Sequence, residues 1–127
     1  MPGLRSLPSA DLHKTWDHLL KVKLPPKKVV SRTQAILDEP ELVTAGDAAR
    51  LNLDISKWLA ESNEAATKTV YHKDIRDAVK TAEAHPDDDL DPIDLPASYF
   101  TAAEALAKKR ATEAGFRLAK IVEDLGL

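Results

Sequence analysis

From about Ala97 to Leu125 the chain runs without a proline, and Phe100, Ala103, Ala107, Ala111, Ala114, Leu118, Ile121 and Leu125 recur at intervals of three or four. This is the spacing of one face of an α-helix, and at 1.5 Å per residue it predicts a rod of roughly 42 Å. A rod of that length dictates the architecture, because every other segment must pack along it. Its seam is mostly alanine until Leu118, so a neighbouring helix can approach closely while each contact buries little area.

The remaining segments repeat the same period. Ser9 is a suitable N-cap for a helix over about Ala10 to Lys23, with Leu12, Trp16, Leu19 and Leu20 on one side and Pro25-Pro26 as the stop. Pro26 fits the first turn of a second helix carrying Val29, Val30, Thr33, Ile36 and Leu37, which ends at Asp38-Glu39-Pro40. Between Glu41 and Leu53 the pattern weakens around Gly46 and predicts a connection with one helical turn in it. Asp54 then caps a long segment whose Ile55, Trp58, Leu59, Ser62, Ala65, Ala66, Thr69 and Val70 share a side, and helix resumes from Asp74 to Ala84. The stretch from His85 to Pro96 is proline-broken and rich in aspartate, an acidic surface loop. No alternating run bounded by hairpin turns occurs, so the expectation is an all-α chain of four to five helices, bundle-like, forming a single domain over residues 1–127 without a sheet.

Composition removes several functional classes. The chain has no cysteine, so any metal must be held by histidine and carboxylate. With a net charge of −3 and no basic stripe interleaved with aromatics, no strong nucleic-acid-binding surface is expected. No run of about 18 apolar residues and no apolar stretch of leader length is present, which predicts no membrane span and cytoplasmic residence for the chain as written. The acidic run around Asp87, Asp88 and Asp89 lacks the spacing and glycine of an EF-hand. His72 with Asp74, and His85 with Asp87, sit at loop edges and read as surface combinations.

His13 and Asp17 are four apart on the first predicted helix, so their side chains share a face and are spaced to hold one divalent ion. The same spacing also describes a solvated His–carboxylate pair. His18 lies about 100° from Asp17 around the helix and is a possible further ligand to the same ion where a second chain takes part. The surrounding Leu12-His13-Lys14-Thr15-Trp16-Asp17 resembles the L-H-x-x-W-D signature of the zinc-dependent, single-strand-specific nucleases of the S-one/P-one family, within the zinc phospholipase C and single-strand nuclease superfamily. Further blocks agree in order. Trp58-Leu59-Ala60-Glu61-Ser62, trailed by Val70-Tyr71, is similar to that family's W-x-x-E-S helix and its following V-Y. Leu95-Pro96-x-x-Tyr99 resembles the entry to its final helix, and Ala114-Gly115-Phe116-Arg117-Leu118-Ala119 its A-G-x-R-L-A block. The resemblance covers 12–127, corresponding to the C-terminal half of a family member, with 1–11 outside it.

The resemblance implies a zinc cluster that polarises a phosphodiester and activates water. It assigns His13 and Asp17 to the family's last ligand pair; the other family ligands lie upstream, and nothing in Met1 to Asp11 supplies their equivalent. Asp11 stands where the signature usually carries Asn, and adds a possible carboxylate. Half of a fold would leave an apolar face uncovered, and a homodimer is the simplest way to cover it. If the first helices meet near a twofold axis, two His13 and two Asp17 make a plausible set for Zn²⁺ or Mn²⁺. The reading is a metal-dependent phosphoester hydrolase, phosphodiesterase- or nuclease-like, acting on a phosphoester or nucleotide through an interface metal. The alternative is a catalytically inactive helical homodimer, or a structural metal-binding protein derived from a truncated nuclease. Trp16 and Trp58 are expected as core anchors, Gly115 as a close backbone contact, and Arg117 as half of a structural ion pair.

Overall fold

The computed structural model describes residues 5–6, 12–20, 23–89 and 91–127. Its elements, in order, are β1 (Arg5–Ser6), α1 (Leu12–Leu19), α2 (Pro26–Leu37), α3 (Pro40–Arg50), α4 (Ile55–Ala65) continued by a π-helical turn (Ala66–Val70), α5 (Lys73–Ala84), β2 (Asp94–Leu95) and α6 (Ala97–Asp124). The all-α expectation holds. Its only strand pairing among the described residues is the antiparallel match of Arg5 with Leu95 and Ser6 with Asp94.

The prolines act at helix starts. Pro26 and Pro40 both occupy the first turn, where the missing N–H would have had no helical partner in any case. Pro40 therefore ends α2 and starts α3, so the segment read as a connection is an 11-residue helix and the described α-helices number six. Asp54 caps α4 as expected, its carboxylate accepting from the Ser56 amide at 2.9 Å and the Ser56 hydroxyl at 2.7 Å. These two bonds hold the Asp54 carboxyl below its ordinary range.

α6 is the axle, and α3 lies along it more extensively than any other element. Gly46 makes that approach possible, because a Cβ there would stand 2.6 Å from the Phe116 ring. The expectation placed the close contact at Gly115 instead. A Cβ at Gly115 meets nothing within 4 Å among the described residues, since this glycine is exposed to solvent. At the other end of α6, Ile75, Leu95, Tyr99 and Ala103 form a buried cluster against which Leu12, Trp16, Leu19, Ile93 and Phe100 pack. This cluster seats α1.

The apolar seam of α6 does not stay inside along its length. Ala103 is buried, but Leu118 and Leu125 are 61% and 67% exposed, whereas Thr112, Glu113 and Arg117 are buried. The C-terminal half of α6 has turned its polar side inward, because Arg117 finds a complete set of acceptors there. An open apolar groove follows, lined by Trp58, Ala114, Leu118 and Ile121. On α4, Ile55 and Leu59 are also more than 60% exposed.

Candidate functional site

Two polar constellations hold the helices together, and both are built from the motif residues. The first joins α3, α4 and α6. Arg117 donates to Glu61 through two nitrogens, Nη1 to Oε2 at 2.9 Å and Nη2 to Oε1 at 2.7 Å, a bidentate pair. Its Nε donates to the carbonyls of Ala49 and Asn52, both at 3.2 Å, which end α3. Its guanidinium carbon stands 5.2 Å from the Trp58 ring centre, and the Trp58 indole N–H donates to the same Asn52 carbonyl at 2.9 Å. Arg110 adds bonds to Glu61 at 2.8 Å, Glu113 at 2.7 Å and the Ser62 hydroxyl at 3.1 Å. The Arg117 guanidinium beside Glu61, backed by Arg110, holds its carboxyl down to about 2. No buried side-chain polar atom among the described residues lacks a partner.

The second constellation joins α1, the π-helical turn and α6. The Trp16 indole N–H donates to the Tyr99 hydroxyl at 3.0 Å, and that hydroxyl donates to the Val70 carbonyl at 2.8 Å. Trp16, His72 and Phe100 each meet the Tyr99 ring edge to face, with centroids 6.5, 6.0 and 5.7 Å away. Burial pushes the Tyr99 hydroxyl above its ordinary range, and the Trp16 bond opposes that shift.

His13 and Asp17 take part in neither. They lie side by side on α1, with His13 Nε2 and Asp17 Oδ2 3.1 Å apart and their side chains 83% and 55% exposed. Two atoms each about 2.0–2.1 Å from one tetrahedral ion would stand roughly 3.3–3.4 Å apart, so the pair is spaced to chelate with a small side-chain adjustment. His18 does not join them: its Nδ1 faces the Lys14 carbonyl at 2.6 Å on the same helix. Asp11 lies outside the described residues. His72 caps α5, its Nδ1 accepting from the Asp74 amide at 3.4 Å, and His85 Nδ1 stands 3.8 Å from an Asp88 oxygen. Among the described residues no three His, Asp or Glu side chains gather into a set that could hold a metal. His13 and Asp17 are thus two adjacent groups of ligand type among the described residues, where a catalytic ion needs about three protein ligands.

Trp16 and Trp58 serve as part-buried anchors, as expected, and Arg117 is a structural ion-pair partner. The sequence reading did not find the Glu61 partnership or the Tyr99 hydroxyl bonds. Its available signal was an arginine inside an alanine-rich helix, together with the Glu of one motif block and the Tyr of another.

The protein-family model described as S1/P1 Nuclease matches residues 6–126 of the chain. No curated protein and no solved structure matches it.

Proposed function

The chain belongs to the S1/P1 nuclease family, and from that premise we propose that it is a metal-dependent phosphoester hydrolase whose ion is held in part by His13 and Asp17. One observation supports this above the others. The fold uses Trp16, Trp58, Glu61, Ser62, Tyr99 and Arg117 of the motif blocks to hold itself together, and leaves His13 and Asp17 exposed, adjacent and unneeded for packing. Among the described residues these exposed side chains pair with each other, and an exposed pair of this kind adds little to stability.

In this reading His13 Nε2 and Asp17 Oδ2 bind a zinc or manganese ion. The bound metal supplies Lewis-acid polarisation of the phosphoester and activation of the attacking water. Asp17 brings a negative charge and His13 a neutral donor, a mixed set suited to zinc. Further ligands come from a second copy of the chain, whose α1 lies across the first near a twofold axis. Exposed Leu118, Leu125, Ile55 and Leu59 favour association of two copies in general, because apolar area of this kind is costly to leave in water, but Leu118 and Leu125 lie toward the end of α6 remote from α1 and do not by themselves select the α1 crossing. The substrate class is a phosphoester or nucleotide, not a long nucleic acid gripped by charge, since the chain is net acidic.

That only two such side chains gather among the described residues favours a second reading, a helical homodimer without catalysis. An aryl phosphodiester assay distinguishes the two. Turnover that is abolished by chelator and restored by Zn²⁺ or Mn²⁺ supports the hydrolase; turnover indifferent to chelator, or absent with metal supplied in excess, supports the silent dimer.

A further inference from the structure

We propose that two copies of the chain meet through a reciprocal charge contact, in which the basic start of α2 in each copy docks on the loop of the other that carries Asp87, Asp88, Asp89 and Asp91. The inference rests on the reading above for its partner, a second copy met near α1. Charge is divided unevenly along the sequence: residues 1–37 carry seven Lys and Arg against two Asp, whereas residues 38–127 carry eleven bases against nineteen acids. The net charge of −3 therefore conceals a basic region on an otherwise acidic chain.

The two regions also differ from the rest of the surface in how their charges are used. Arg50, Lys68, Lys73, Lys108, Lys109 and Lys120 each pair with a carboxylate of their own chain. Lys23, Lys27 and Lys28 are exposed and have no carboxylate partner among the described residues. Asp87, Asp89 and Asp91 are likewise exposed without a cationic partner there, and Asp88 has only His85, whose Nδ1 stands 3.8 Å away. α2 has no buried residue, so its basic start lies open. Both regions adjoin α1. Arg32 Nη1 donates to the Leu20 carbonyl at 2.7 Å, which ties α2 to the chain just past α1. Ile93 packs against the same cluster as Leu12, Trp16 and Leu19, and it lines a groove with Asp88, Asp89 and Asp91. A twofold axis beside α1 turns each basic helix start toward the partner's acidic loop, and symmetry makes the contact twice. Single surface pairs add little affinity, but opposed fields steer encounter and fix orientation. Helix-to-helix and loop-to-loop approaches are repelled by the same charges, so the reciprocal arrangement is the one selected.

Sedimentation velocity of the whole protein, with chelator present, tests the contact independently of any metal. Raising NaCl from about 0.1 M to about 1 M shortens the screening length from about 10 Å to about 3 Å, and is expected to weaken the parent dimer at least about tenfold. The triple variants Lys23→Glu/Lys27→Glu/Lys28→Glu and Asp87→Lys/Asp89→Lys/Asp91→Lys are each expected to be monomers at micromolar concentration, with the parent's helical circular dichroism. Mixed in equal amounts they are expected to form a heterodimer, because the reversed helix of one meets the reversed loop of the other. A parent dimer indifferent to salt, dimers in both reversal variants, or a mixture that stays monomeric would overturn the contact. A monomeric parent at about 0.1 M NaCl would overturn it too. The metal-site reading fails separately: a dimer with the expected salt response and rescue that takes up no Zn²⁺ once the chelator is removed would bring that reading down and leave the contact standing.

Discussion

Replacing Glu61 by Gln keeps the shape of the side chain while removing the charge that Arg117 and Arg110 share. The Arg117 residue is 5% exposed, so the variant leaves a guanidinium with two carbonyl acceptors, a ring face and no counter-charge. The Glu61 carboxyl is held at about 2 in place of its ordinary 4.5, and each pH unit is worth 1.36 kcal/mol, which sets a ceiling of roughly 3.4 kcal/mol. A third of the Glu61 side chain meets solvent, so screening reduces this to about 2 kcal/mol. For a chain of this length that is a fall of roughly 6–10 °C in Tm. The sign of the pH dependence follows from the depressed value. The folded protein binds this proton less readily than the unfolded chain, so the contribution is complete above pH 4.5 and fades as pH falls toward 2. Melts followed by circular dichroism from pH 7 to pH 2.5 should show the unaltered protein losing stability below pH 5. Glu61→Gln should start lower and lose less over that window. A variant melting within 2 °C of the parent at pH 7, with the same acid slope, would refute the reasoning that this network joins α3, α4 and α6.

Two glycine substitutions should move stability in opposite directions. Gly46→Ala drives a methyl to 2.6 Å from the Phe116 ring and should cost about 1–3 kcal/mol despite alanine's better helix propensity; Gly115→Ala meets open space and should gain up to about 1 kcal/mol in the same thermal melts. Sedimentation velocity at micromolar concentration should give a species of twice the 13.9 kDa chain mass, shifted toward monomer by Leu118→Glu; a monodisperse monomer of the parent chain would count against completion by a second copy.

Most of the fold was legible because helix signals are local. Pro26, Asp54 and the 3–4 apolar spacing of α6 specify where helices run without knowledge of their neighbours. α3 escaped because its inward positions are Leu42, Gly46 and Ala49, of which only one is a large apolar side chain, and the glycine that weakened the pattern is the residue that seats the helix. The inward face of α6 was misjudged for a related reason. Hydrophobic periodicity ranks Leu118 above Arg117, but an arginine with every donor region occupied is buried at the leucine's expense. In the site, the His13–Asp17 adjacency was readable from a spacing of four, because it lies within one helix. The Trp16–Tyr99 bond, across 83 residues, depends on how the π-helical turn presents the Val70 carbonyl, and no local pattern encodes that.

The central claim is that His13 and Asp17 hold an ion required for phosphoester hydrolysis, and elemental analysis after dialysis, run beside steady-state kinetics on an aryl phosphodiester, tests it most directly. The parent protein should retain between about one half and one zinc or manganese per chain, the range expected for an ion shared at or bound beside a twofold interface. His13→Ala and Asp17→Ala should each abolish both the bound metal and the turnover, whereas His85→Ala, at an exposed loop edge, should keep both. Turnover or stoichiometric metal that survives both α1 substitutions would contradict the assignment.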